Sequence, residues 1–238
     1  MIVTNAGYEI LEENLIGAKN RIYFMIEDAG RTCYRSEDKK RMGSAGKFVS
    51  ALVRNGHEAM LEHAALSVRF FIDRGVSHEA VRHREASFAM ESTRYCRYSD
   101  EKFGGQISVI RPFYLDDHGL DVLEVWTKTN LAAEEGYMKL LELGLTPEEA
   151  RCVLPTDLRT ELVVTCNMRE WRHILKLRAA GYTGRPHPQI AEVMIPLLFE
   201  LQAAMPELFG DIEIQPCVTN TVWGQELIKK AREKKNDD

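Results

Sequence analysis

The chain has no Cys-x-x-Cys pair, no His-Glu-x-x-His, no Gly-x-Gly-x-x-Gly and no long apolar run. Each absence removes a class of protein. Five cysteines occur, Cys33, Cys96, Cys152, Cys166 and Cys217. Their number is odd and none has paired spacing, so neither a disulfide scaffold nor a structural zinc site is expected. Without the glycine fingerprint, a Rossmann-type dinucleotide site has no support. No basic region followed by an apolar stretch opens the chain, so no secretory leader is read. No stretch is long enough to span a bilayer, and a reduced cytoplasm is the expected location. Positive charge is also short: Lys plus Arg total 31 against 36 Asp plus Glu, a formal net charge of −5. That balance argues against a general nucleic-acid-binding role. There is no internal repeat and no linker-like stretch.

What is present suits one core. The 238 residues are 45% hydrophobic and 28% charged, as in soluble globular proteins. A single domain over residues 1–238 is expected, with a charged, frayed tail from about Lys229. Ile22 to Ile26 fits either a strand or a buried helix turn. Residues 38–54 read as a helix, with Met42, Ala45, Phe48 or Val49, and Leu52 at helical spacing and Asn55-Gly56 as its stop. Ala65 to Ile72 reads as a strand. After a turn at Asp73-Arg74-Gly75, Val76 to Arg84 reads as a short helix, and Ser87 to Thr93 as a loop. Gln106 to Ile110 suggests a short strand. Asp121 to Leu143 reads as a long helix whose buried stripe is Val122, Trp126, Thr129, Ala133 and Leu140. Thr146-Pro147-Glu148-Glu149 is a capping box that opens a short helix. Leu162 to Cys166 is a buried-strand candidate, and Asn167 can cap a helix from Met168 to Arg178. Arg169 and Arg172 on that helix read as a solvated face. Pro188 opens an apolar helix that Pro196 should kink, and Ile212 to Ile214 suggests a last strand.

Positive charge concentrates between Arg82 and Lys102. The stretch Arg82-His83-Arg84-Glu85-Ala86-Ser87-Phe88-Ala89-Met90-Glu91-Ser92-Thr93-Arg94-Tyr95 carries three bases in a row, then serines, a carboxylate and another arginine. Guanidinium groups offer a planar fork of donors to phosphate or carboxylate. Hydroxyls and backbone N–H groups add neutral donors for the same oxygens. Such density suits a phosphorylated, planar ligand, although a basic helix end favoured by the dipole has the same composition. Upstream, His57, Glu58, Glu62 and His63 place four potential ligands within seven residues. The two histidines are six apart and fall on different faces of a helix, so a metal site is not expected there. A metal-dependent nucleotide phosphohydrolase could use that His/Glu cluster. A nucleotide- or RNA-binding module could use Tyr95 and Tyr98 as stacking groups. The ligand spacing disfavours the first and the acidic balance the second.

The order Arg-His-Arg, seven residues, then Ser resembles the signature of the flavin-dependent thymidylate synthases. Gly56-His57-Glu58 with Glu62-His63 resembles the family's upstream element. Arg151 to Pro155, Asn167 to His173 and Leu177-Arg178 resemble its downstream elements. The resemblance implies an α+β fold with helices packed on a mostly antiparallel sheet. It implies reductive methylation of deoxyuridylate (dUMP) to dTMP, with methylenetetrahydrofolate as carbon donor and FAD, reduced by NADPH, as hydride source. It further implies Arg178 as the catalytic residue, stabilising negative charge on the uracil ring. FAD contacts would come from His57, Arg82, His83, Arg84, Asn167, Met168, Arg169 and His173. Nucleotide contacts would come from Glu79, Arg82, Met90, Glu91, Ser92, Thr93, Arg94, Arg151 and Arg178. The family implies a homotetramer with shared active sites. From the ligand spacing, the charge balance and the lack of a long apolar run, no metal, no nucleic-acid partner and no membrane are expected. Departures from the pattern are Ala89-Met90 in place of Asn-Glu, Glu79 in place of Gln, Ala59 in place of Ser or Thr, and His173 in place of Asn.

Overall fold

Strands and helices interleave along the chain. In the computed structural model, which describes residues 1–237 and side chains as far as 233, the order is β1 (Ile2–Thr4), β2 (Gly7–Ile10), α1 (Leu15–Thr32), α2 (Ser44–Arg54), β3 (Ala65–Asp73), α3 (Arg74–Ala80), β4 (Ala86–Met90) and β5 (Ser108–Ile110). There follow α4 (Leu120–Glu142), α5 (Pro147–Ala150), β6 (Arg159–Asn167), α6 (Met168–Arg178), α7 (Pro188–Ala204), α8 (Pro206–Phe209), α9 (Pro216–Thr219) and α10 (Val222–Asp237). The class is α+β, with an antiparallel sheet of order β2-β3-β6-β4. A separate parallel pair joins β1 to β5, with Val3 opposite Val109.

The chain divides into two compact units. The first comprises Met1–Gly7, Phe70–Arg82 and Phe88–Val163. Its core gathers Tyr98, Ile107, Val109, Tyr137, Leu141 and Leu158. Helix α4 faces that core with Asn130, Tyr137 and Leu141. The expected stripe through Val122 and Thr129 is therefore displaced by about one position, and both of those residues are exposed. The buried polar group explains the shift. Asn130 donates to Asp157, which also accepts from the Trp126 indole, so a polar pair sits where apolar periodicity gives no signal. The Thr146 capping box forms as expected.

The second unit comprises Tyr8–Arg69, His83–Ser87 and the chain from Val164 onward. Helices α1, α2, α6 and α7 bury Ile22, Val49, Trp171, Leu175 and Leu198. Ile22 to Ile26 is thus helical, inside α1. Trp171 donates its indole N–H to the Leu66 carbonyl at 3.0 Å, and Met168 N–H donates to Ala64 O at 2.9 Å. These bonds pin the start of α6 to the strand side of the unit.

Several expected boundaries move. Helix α2 begins at Ser44, because Gly43 takes a left-handed φ of 77° just before it, and Met42 lies fully exposed. Helix α3 starts two residues early and ends at Ala80, since the Asp73 carboxylate accepts from Val76 N–H at 2.8 Å. Arg82 to Arg84 therefore follow the helix and do not share a face of it with Glu79. The expected loop from Ser87 is instead strand β4 through Met90, at the edge of the sheet. Its half-buried and exposed positions alternate. Ile212 to Ile214 forms no strand, and the charged segment from Lys229 continues α10.

Candidate active site

In the second unit, α6 presents its side chains from both ends. At the start, Asn167 accepts from Glu170 N–H at 2.9 Å, an N-cap that leaves the amide NH2 group for a ligand. At the end, Arg178 is half-buried and its Nε donates to His83 Nε2 at 3.2 Å. His83 is 6% exposed, with the Glu170 carboxylate 3.4 Å from its Nδ1. The rings of His83 and His173 meet edge-on at 5.8 Å between centroids. Burial, the Arg178 charge and His173 together push the His83 imidazole down from 6.5 to about 4, so it is neutral at physiological pH. Burial raises the Glu170 carboxyl above its usual range.

Glu58, Glu62, Glu85, Asn167, Arg169, Glu170, His173 and Lys176 line a cavity of about 410 Å³ in this unit. Of the expected cofactor ligands it brings together Asn167, Arg169 and His173. Arg169 is paired with Glu62 at 2.5 Å. Arg84 is exposed beside His83, and Met168 is fully buried in the core. His57 is exposed at the start of the 3₁₀ turn Glu58–His63 and does not line the cavity. Arg172, read as solvated, is 1% exposed. It grips Asp211 through both Nη groups at 2.7 Å and donates from Nε to Glu58 at 3.1 Å. A buried guanidinium requires such partners.

In the first unit a second cluster forms around the end of β4. Arg151 donates to the buried Thr93 hydroxyl at 3.3 Å. Arg94 pairs with Glu148 at 2.9 Å and lies over the Tyr95 ring, and its backbone N–H donates to the Ser92 hydroxyl. Met90 is half-buried on β4, Glu79 is half-buried on α3 and Arg82 is exposed. Glu91 is held on three sides. Its N–H donates to Glu161 O, its carbonyl accepts from Arg74, and its carboxylate accepts from the Tyr98 hydroxyl at 2.7 Å. Sequence reasoning missed Glu170 and Tyr98 as partners of the motif. Both act on it through contacts that no local spacing reveals.

His83, Glu170 and His173 bring three potential metal-ligand atoms within 4.8 Å of one another. The Nε2 lone pair of His83 accepts from Arg178, however, and a guanidinium at that distance opposes a cation. The same arrangement of an arginine fork, a neutral imidazole and amide and cationic donors suits an anionic heterocycle.

Comparison with known proteins decides the family. The family model described as "Thymidylate synthase complementing protein" matches residues 14–207. The flavin-dependent thymidylate synthase of Mycolicibacterium vanbaalenii is 33% identical over 210 residues, covering 80% of this chain and 79% of that protein. The one from Corynebacterium glutamicum is 32% identical over 208 residues, 80% of each chain. The chain belongs to the flavin-dependent thymidylate synthase family. A crystal structure of the UMP/dUMP methylase PolB from Streptomyces cacaoi, bound with 5-Br dUMP, shares the fold. Its TM-score is 0.71 at 22% identity, over 88% of this chain and 96% of that one.

As a flavin-dependent thymidylate synthase the chain is an enzyme of the methyltransferase class, and the family implies a flavin. The cavity's donors fit part of such a group: the Asn167 amide, the Arg169 guanidinium, the His173 imidazole and the Lys176 ammonium can bond its oxygens. Among the described residues, no helix is long and apolar enough to cross a membrane.

Proposed function

We propose that the protein converts dUMP to dTMP by reductive methylation, taking its carbon from methylenetetrahydrofolate. The observation that carries this reading is Arg178, held through its Nε by the neutral imidazole of His83. A guanidinium presents a planar fork of donors that suits an anionic ring edge. Arg178 stabilises the negative charge that develops on the uracil ring as the N3 proton leaves, which makes carbon 5 a better nucleophile. No cysteine nucleophile is needed for that activation. Arg94, with Ser92, Thr93 and the backbone at Met90 and Glu91, holds the nucleotide phosphate or sugar, and Arg151 supports the same ligand. Glu79 and Arg82 serve the nucleotide as well.

The flavin proposed is FAD, with NADPH as its reductant; when bound and reduced it supplies the hydride. Asn167, Arg169 and His173 hold part of it, and His57, Arg82, His83, Arg84 and the backbone at Met168 complete its contacts. The active sites are proposed to be shared within a homotetramer, so the two sets of residues need not come from one copy. Sharing also accounts for a flavin site built without a glycine fingerprint. The whole chain is proposed to serve as one catalytic domain in the cytoplasm.

The test is the visible spectrum of the purified protein with FAD and dUMP, followed by a dTMP assay with methylenetetrahydrofolate and NADPH. A flavin spectrum that shifts with dUMP, and dTMP formation that Arg178→Ala abolishes while flavin stays bound, is the expected result. A protein that takes up no FAD, or full turnover by the Arg178→Ala variant, overturns the reading.

A further inference from the structure

Arg178 ends α6, and Glu170 lies in the first turn of the same helix. Eight residues separate them, about 12 Å along the axis at 1.5 Å per residue. They cannot touch. One side chain from outside the helix touches both. His83, on the turn between α3 and β4, has Nδ1 3.4 Å from a Glu170 oxygen and Nε2 3.2 Å from Arg178 Nε. We infer that Glu170 is a positioning residue for Arg178, acting through the imidazole of His83. The inference rests on the reading of Arg178 as the group that meets the uracil ring.

The chemistry of the three groups permits one arrangement. Arginine Nε carries a hydrogen and can only donate, so His83 Nε2 must accept. A neutral imidazole with an acceptor at Nε2 carries its proton on Nδ1. Nδ1 faces the Glu170 carboxylate, which can only accept while ionised. The Arg178 bond makes Nε2 the acceptor, and the carboxylate oxygen 3.4 Å from Nδ1 is placed to favour the proton on that side. Were Glu170 absent, nothing at Nδ1 would favour the proton there over Nε2, and a proton on Nε2 breaks the bond to Arg178. Burial makes the choice consequential, because the Glu170 side chain is 11% exposed and that of His83 6%.

Glu170 has a simpler reading, as an acid in the first turn of a helix favoured by the dipole. That reading asks nothing of the carboxylate beyond proximity to the helix end. It explains neither its burial nor its place at His83 Nδ1. The cap itself uses the Glu170 backbone N–H, not its carboxylate. Side-chain replacement thus leaves the Asn167 cap in place, and the two readings separate by experiment.

Three full-length variants carry the test. Glu170→Gln keeps an acceptor without charge. Glu170→Leu fills the space without an acceptor, and Glu170→Ala is a second acceptor-free variant, unable to overpack, should Leu disturb folding. The imidazole ¹⁵N spectrum of ligand-free protein, with His83 assigned by its loss in His83→Asn, reads the tautomer directly. The wild type should show the Nδ1-protonated neutral form, Glu170→Gln should keep it, and the acceptor-free variants should lose it to a mixture. Calorimetric titration with dUMP reads the consequence. The acceptor-free variants should bind about tenfold more weakly, the scale of a hydrogen bond to a charged group. Glu170→Gln should stay close to wild type. Combined with Arg178→Ala, the same replacements should add no further loss, because their effect passes through Arg178. An unchanged tautomer in both acceptor-free variants overturns the inference. So does an equal loss with and without Arg178. Wild-type protein that takes up no dUMP overturns the functional reading instead, and the imidazole spectrum then still decides the role of Glu170.

Discussion

His83 should make the protein less stable as the pH falls from 6.5 toward 4. Its folded-state pKa is about 4 against an ordinary 6.5, first from burial and then from the charges of Arg178 and His173. Between those values the unfolded chain binds a proton that the folded chain refuses. Stability therefore rises with pH across this window and is lost on acidification. Linkage gives a loss of about 1.2 kcal/mol at about pH 5.5 and about 2.4 kcal/mol at about pH 4.5, relative to neutral pH. Acidic side chains titrate near the lower end, so the comparison must be differential. His83→Asn retains a donor and an acceptor but cannot ionise, and other groups cancel between the two proteins. Urea unfolding of both at neutral pH and at about pH 5.5 measures the difference directly. The wild type should lose about 1.2 kcal/mol more than the variant over that interval. Parallel pH dependence of the two proteins, or a His83 NMR titration centred at or above 6.5, would refute the reasoning.

Arg172→Met should be the most damaging conservative change on α6. Removing one member of a buried ion pair costs about 3–5 kcal/mol, but Asp211 and Glu58 keep access to water here, so about 2–3 kcal/mol is expected. The melting temperature should fall by about 5–10 °C; a fall of a degree or less would show that the fork contributes nothing net. Asn167→Ala should cost about 1 kcal/mol through the lost cap and also weaken flavin retention. Loss of stability with unchanged flavin retention would confine Asn167 to the cap. For Arg178→Ala the structure expects the opposite split, with chemistry lost and flavin kept.

Strongly periodic and capped elements were legible from the chain alone. The Asn167 cap, the Thr146 capping box and strand β3 all stand where local rules put them, because each depends on residues within one turn or one strand. The failures share a cause. Strand β4 is only five residues long, three of them Ala or Ser, and its identity comes from pairing with β6, some seventy residues later. The α4 stripe is set by Asn130 and Asp157, a polar pair that hydrophobic periodicity ignores. Arg172 looks like any helix-surface arginine until Asp211 and Glu58 arrive to neutralise it. Which of the motif residues meet was not visible in the chain. His83 finds Arg178 and Glu170, while Glu91 is taken up by Arg74, Tyr98 and Glu161. Residues that belong to one signature can thus have separate tasks.

The charge balance of the α6 cavity carries a last consequence. Four carboxylates, Glu58, Glu62, Glu85 and Glu170, line it against Arg169, Lys176 and a histidine. Glu58 is already shared with Arg172 and Lys176, and Glu62 with Arg169. The FAD proposed above would bring a doubly charged pyrophosphate, and this cavity has no surplus of cations to offer it. Either the Arg169–Glu62 pair opens or another copy of the chain contributes positive charge. Both members of that pair are about half exposed, so their attraction is weak and opening it costs little. Glu62→Gln should then release Arg169 and improve FAD retention severalfold, measured as flavin absorbance against protein absorbance after gel filtration. It should do so at low salt most clearly, where the competing carboxylate is least screened. Unchanged or weaker retention in Glu62→Gln would mean that Arg169 does not meet the phosphates. The cations for the pyrophosphate would then have to come from elsewhere, as the proposed sharing of sites between copies would allow.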